Sequence, residues 1–200
     1  MIRAAYVDAT ALFVQTVGQI TPAQWEQTGL GVWTLRDLVG HTSRALLTVE
    51  TYLAQPATQR EVPRPVDYYL RVQGGLAAAT SVAARGREAG AALGPEPASA
   101  VRDIATRVLA TVQTAADDAL VQTPVGGMRL IDYLPSRILE LAVHTLDIAV
   151  ARSVPVTLPE TTAAVALHLC ADLALQPGKA APLLLAVTGR QGFPSGFSLL

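Results

Sequence analysis

The chain has 200 residues, half of them hydrophobic and only 5% aromatic, with a formal net charge of -1. That balance offers no basic surface for nucleic acid or an anionic membrane. A single cysteine, Cys170, excludes an intramolecular disulfide and points to a reducing compartment. The apolar residues are mostly Ala, Leu and Val, and Ala and Leu favour helix, so the expected class is mainly α. The length suits one domain, or one domain with a small appendage. The N-terminal residues lack the charged and apolar regions of a signal peptide. No apolar run nears the roughly 20 residues of a membrane span, so the expected location is the cytoplasm.

The first helix is expected over residues 2–19, with Ala5, Ala9, Leu12, Phe13, Thr16 and Val17 near one face. A loop with Thr21, Pro22, Gly29 and Gly31 follows. The second helix starts at Thr34, an N-cap with Asp37 three residues on, and ends near Gln55 before Pro56. Leu35, Leu38, Val39, Leu46, Val49 and Leu53 supply its apolar face. Pro63 and Pro65 exclude helix through the next stretch. A third helix is expected over 67–92, interrupted by Gly74 and Gly75, and a fourth over 98–120.

Residues 123–130 read as a tight turn or small hairpin around Gly126-Gly127. A fifth helix is expected over 131–151 and a sixth over 160–175. Leu183 to Val187 reads as a strand, and Phe197 to Leu200 as a candidate second strand. The expected organisation is a helical bundle over 1–153 and a small α/β region over 154–200.

Three histidines are present. Glu140 and His144 are four residues apart and project from one helical face, a stripe that also holds Arg137 and Asp147. A similar stripe on the second helix holds Thr34, Asp37, His41, Arg44 and Thr48. The plain reading of each stripe is a solvated face, with Glu140 and His144 an exposed i,i+4 pair. The sharper reading combines them: two imidazoles and one carboxylate with an open fourth position is the donor set of a catalytic zinc site. Bundles build such sites from inward side chains on facing helices. Spacing alone leaves both readings open, because it cannot show that the two helices face each other. His168, four residues before Asp172, reads as structural or surface. Cys170, in an apolar run, reads as a buried small side chain.

The segment from Trp33 through Asp37 to His41 resembles the Trp-x-x-x-Asp-x-x-x-His stretch of the DinB-like superfamily. The segment Glu140, His144, Asp147 resembles the Glu-x-x-x-His-x-x-Asp stretch of its mycothiol-dependent maleylpyruvate isomerase family. Leu184 to Arg190, followed by Gly196-Phe197-Ser198, is similar to the tail of many members. The resemblance implies a DinB-like four-helix bundle with a small C-terminal α/β appendage. It implies His41, Glu140 and His144 as metal ligands, with Asp37 and Asp147 in support. The metal expected is zinc, and the same donors also suit nickel.

The activity implied is that of an isomerase or thiol S-transferase, with mycothiol as cosubstrate and a small electrophile as substrate. In the isomerase, thiol addition and expulsion convert maleylpyruvate to fumarylpyruvate. The C-terminal region looks shorter than that of the isomerase, which bears on the substrate. Arg190 is the candidate catalytic residue, positioned to bind a substrate carboxylate by a bidentate contact, or else a surface arginine at a turn. Arg44 and Arg137 are similar candidates. Two alternatives use the same ligands: a metal-dependent hydrolase and a non-catalytic metal-binding stress protein. A homodimer is compatible with the family, and no nucleic-acid or membrane partner is expected.

Overall fold

The computed structural model describes residues 1–73 and 79–200. Its core is a ring of four helices: α1 (Ile2–Val17), α2 (Leu35–Leu53), α5 (Pro97–Thr114) and α6 (Leu130–Ala151). Helix α1 packs on α5 and α6, and α2 packs on the same two, which closes the bundle. Around it lie α3 (Pro65–Gln73) against α6, α4 (Ala79–Ala92) against α2, and α7 (Glu160–Ala174) against α1 and α6. A short α8 (Ala180–Val187) follows and buries none of its residues. No helix among the described residues is long and apolar enough to cross a membrane.

Two antiparallel hairpins complete the fold. The first pairs β1 (Thr28–Leu30) with β2 (Trp33–Thr34), and the second pairs β3 (Leu120–Thr123) with β4 (Gly126–Arg129). Each leads directly into a long bundle helix. The opening N–H groups of a helix lack intrahelical acceptors. At α2 these are met by the Gln27 carbonyl for Leu35 (2.8 Å), the Trp25 carbonyl for Arg36 (3.0 Å) and the Thr34 hydroxyl for Asp37 (3.2 Å). At α6 the Ala119 carbonyl accepts from Leu130 (2.8 Å) and the Asp117 carbonyl from Ile131 (3.1 Å). Both helix starts are therefore tied to the chain that precedes them.

The core follows the apolar periodicity. Ala5, Tyr6, Ala9, Phe13 and Val17 of α1 meet Leu38, Val39, Leu46 and Val49 of α2 and Leu134, Ile138 and Leu141 of α6 within one buried cluster. Burying an aliphatic side chain of this kind stabilises by about 1.5–3 kcal/mol relative to leaving it in water. Helices α2 and α4 approach very closely. A Cβ on Gly40 would lie 2.2 Å from the Gly90 nitrogen, and a Cβ on Gly86 would lie 2.5 Å from the Trp33 ring. Glycine at both positions lets α4 seat against α2 and lets the Trp33 indole sit between them.

The mainly α class and the N-cap at Thr34 stand as expected, as does the hairpin near residues 123–130, though its turn is Pro124-Val125 and Gly126 and Gly127 open strand β4. The structure corrects other readings. The strand expected over Leu183 to Val187 is helix α8, and residues 197–200 form no regular element. A strand needs a partner edge, whereas an Ala- and Leu-rich run can satisfy its backbone within a helix. Pro182, in the first turn of α8, is tolerated there because its missing N–H would have had no intrahelical acceptor. The β structure lies instead in the two hairpins, one of which, at residues 28–34, reads as loop from the sequence. Of the expected helix over 67–92, the described residues form α3 and α4, and its predicted interruption at Gly74 and Gly75 lies outside them. The fourth helix ends at Thr114, before β3.

Candidate metal centre

Helix α2 carries His41 from its second turn. The N-cap that fixes the start of α2 is reciprocal: Asp37 Oδ2 also accepts from the Thr34 backbone N–H at 3.1 Å. The Asp37 carboxylate thus holds the helix end. The His41 ring lies against Trp33, with centroids 4.5 Å apart and planes tilted by 33°. Trp33 is itself fixed by donation from its Nε1 to the Ala83 carbonyl at 3.0 Å. His41 Nδ1 is buried and has no hydrogen-bond partner. Burial, reinforced by the positive charge of His144, lowers the His41 pKa to about 4 against the opposing pull of Glu140. The imidazole is therefore neutral near pH 7, as a metal ligand must be.

Helix α6 turns its polar stripe inward. Arg137 is 8% exposed, while Val143 and Val150, on the flank beside the stripe, are 40% and 78% exposed. Glu140 Oε1 accepts from the Tyr69 hydroxyl of α3 at 2.8 Å, and Glu140 Oε2 lies 3.3 Å from His144 Nε2. His144 Nδ1 lies 2.9 Å from Asp147 Oδ2. Burial alone would raise the Glu140 pKa, but the bond to His144, the charge of Arg137 and the bond from Tyr69 together hold it below its ordinary value. Burial would lower His144, but its two carboxylate neighbours raise it. Burial and then the Glu140 charge push the Tyr69 hydroxyl well above its ordinary pKa, so it remains a donor.

The rings of His41 and His144 stand edge to face, with centroids 5.0 Å apart. One donor atom from each of His41, Glu140 and His144 falls within 4.8 Å of the others. The solvated-face reading of the two stripes is thereby overturned. Asp147, by accepting from Nδ1, leaves Nε2 of His144 directed at Glu140. This carboxylate–imidazole pairing is the usual outer support of a histidine ligand. The orphaned His41 nitrogen, the two-imidazole, one-carboxylate donor set and the orienting Asp147 all fit a divalent transition metal.

His41 and Glu140 also form part of the wall of a cavity of about 410 Å³, together with Arg44, Thr48, Tyr52, Tyr68, Tyr69 and Arg137 among others. Arg190 does not line this cavity; it is exposed near the C-terminus, and its guanidinium donates to the Thr188 carbonyl at 3.3 Å. His168 is exposed and Cys170 half-buried, both on α7. Tyr68 and Tyr69 went unread in the sequence, although two adjacent tyrosines in a chain with five tyrosines were the available signal.

A bundle of four long helices with two imidazoles and a carboxylate converging inside it, preceded by the Trp33-to-His41 segment, defines a DinB-like protein. More narrowly, the chain belongs to the family described as the mycothiol maleylpyruvate isomerase N-terminal domain, whose sequence model matches residues 6–149. That span covers the bundle, the cavity and all three converging residues. No curated protein and no solved structure matches the chain.

Proposed function

We propose that this protein is a metal- and thiol-dependent enzyme, acting on a small electrophile by isomerisation or S-transfer. His41, Glu140 and His144 hold the metal, and zinc is the first candidate. The observation that carries the reading is the convergence of these three donors, two of them, His41 and Glu140, in the wall of a cavity, in a chain of the mycothiol maleylpyruvate isomerase family. A divalent metal with an open position lowers the pKa of a coordinated thiol and so supplies a nucleophile at neutral pH.

The remaining work falls to the chain. Asp147 fixes the ring of His144 through Nδ1. Tyr69 fixes the carboxylate of Glu140, so that one oxygen is engaged by the hydroxyl and the other faces His144. Trp33 covers one face of His41 and keeps water from that side. The cavity beside them gives a small substrate a defined place next to the donors.

Asp147→Asn tests the supporting role. Loss of such an outer carboxylate typically weakens metal binding roughly 10–100-fold. Competition with a chelator of known affinity should show a weakening in that range, with little change in melting temperature. An unchanged affinity would remove Asp147 from the site.

The thiol reading is tested by turnover of a maleyl-type electrophile, followed by absorbance with and without mycothiol. Activity should require the thiol. Hydrolysis of esters or amides at equal rates without thiol would replace this reading with a hydrolytic one at the same cluster.

A further inference from the structure

Charge and exposed apolar surface are unevenly spread along the chain. Residues 173–200 carry Lys179 and Arg190 and no acidic side chain, while the other 13 of the 15 basic residues and all 16 acidic ones lie in 1–172. The near-neutral total therefore conceals a basic segment on an otherwise acidic chain. The same segment exposes Leu175, Leu184, Val187, Phe193 and Leu200 to solvent. Large apolar side chains gathered in this way mark an interaction surface.

Helix α8 turns its apolar face outward. Ala180, Ala181, Leu184 and Val187 recur at helical spacing and are exposed, Leu184 and Val187 by 61% and 65%, while Pro182, Leu183, Leu185 and Ala186 between them are half-buried. A surface helix ordinarily shows polar residues on its solvent side. Among the described residues no helix or strand packs closely on α8. A helix of eight residues is also too short to persist in water on its own hydrogen bonds.

The chain then reverses beside α8. The backbone N–H groups of Arg190 and Gln191 both donate to the Leu185 carbonyl, at 2.9 and 3.2 Å. The returning segment brings the Phe197 ring to Lys179, whose Nζ lies 5.5 Å from the ring centre and donates to the Ser198 carbonyl. Phe193 stacks on Phe197 at 5.2 Å. A cation thus stands just beyond each end of an outward-facing apolar helix, and a phenylalanine pair adjoins one of those ends.

We propose that α8 and the segment returning through Phe197 form a docking surface for a lipid bilayer with anionic headgroups. The outward face of α8 and Phe193 enter the boundary between headgroups and acyl chains, and Lys179 and Arg190 extend their charges to the lipid phosphates. The absence of acidic side chains from the segment leaves that attraction unopposed. A second copy of the chain fits the surface less well. Pairing α8 with another α8, parallel or antiparallel, sets cation against cation at both ends. Docking of this kind holds the protein at the surface without spanning the bilayer, and it does not depend on the reaction proposed above.

The test is flotation of the full-length protein with vesicles of phosphatidylcholine alone and of an equal-part mixture of phosphatidylcholine and phosphatidylglycerol. The protein should float with the mixed vesicles and not with the neutral ones, and rising salt should release it. Leu184→Asp should weaken binding roughly tenfold or more, and Arg190→Gln roughly fivefold. Val150→Asp changes an exposed apolar side chain of α6, far from this charge pattern in sequence, and should float like wild type.

The proposal is overturned if the wild-type protein binds neither vesicle, binds both alike, or binds independently of salt. It is overturned equally if Leu184→Asp floats unchanged, or if Val150→Asp loses as much as Leu184→Asp does. Sedimentation without lipid should show no self-association through this face. A dimer that Leu184→Asp dissociates would assign the surface to a second copy and refute the lipid reading. Should Leu184→Asp melt early, the two lipids, the salt series and Arg190→Gln decide the matter.

Discussion

His144→Ala is expected to leave the fold intact and the protein without its metal. Metal analysis of the wild type should give close to one divalent ion per chain. Zinc bound by four ligands is worth about 10–16 kcal/mol in small domains, so losing one ligand removes roughly 3 kcal/mol or more, a factor on the order of 10² or more in affinity. Thiol-dependent activity should fall with it. Alanine is a better helix former than histidine, and His144 is half-buried in the middle of α6, so the helix itself should persist. His168→Ala, on the exposed side of α7, is the matched control and should keep full metal content. Equal metal content in the two variants would refute the site.

Gly40→Ala should be the most damaging single-methyl change in the bundle. The new Cβ would meet backbone: the Gly90 nitrogen at 2.2 Å, the Ala89 carbonyl carbon at 2.4 Å and Gly90 Cα at 2.5 Å. Backbone cannot step aside as a long side chain can, so α2 and α4 must separate. Alanine gains about 1 kcal/mol of helix propensity over glycine. Overpacking of this kind costs about 1–3 kcal/mol, and contacts this short belong at or above the upper end, so the clash wins. A net loss of about 2 kcal/mol lowers the melting temperature of a chain this size by roughly 4–8 °C. Gly192→Ala has no atom within 4 Å of its new methyl and should melt like wild type. Separation of α4 also loosens Trp33, which contacts Gly86 and bonds Ala83, and metal affinity should fall alongside stability.

The sequence shows some parts of this molecule better than others, for physical reasons. Thr34 and Asp37 are legible because a capping box is local: both bonds lie within four residues. The apolar faces of α1 and α2 are legible because burial follows the helical period. The stripe on α6 is ambiguous on its own, since a polar row at helical spacing suits solvent or a polar interior equally. The resemblance of two separate segments to one family favours the interior, and in the structure Glu140 and His144 lie partly buried beside His41.

What could not be read is long-range. Tyr69 reaches Glu140 across 71 positions, and Trp33 reaches Ala83 across 50. No local pattern records such contacts. The run ending at Val187 failed for a different reason: a short apolar stretch has no period with which to tell strand from helix. Arg190 stands in a tail motif and lies away from the cavity, whereas Arg44 and Arg137, on the two polar stripes, are at its wall.

The two hairpins have a consequence for how accurately the donors are placed. Each ends where a donor-bearing helix begins, and backbone bonds from Leu35, Arg36, Leu130 and Ile131 lock those junctions. A helix advances about 100° per residue around its axis. A slip of one residue at either junction would therefore swing His41, or Glu140 and His144 together, a quarter-turn or more out of alignment. The hairpins act as indexing stops that set the rotation of each helix. The strictness of this protein's chemistry is thus decided partly at residues 28–34 and 120–129, in segments that contribute no donor to the cluster.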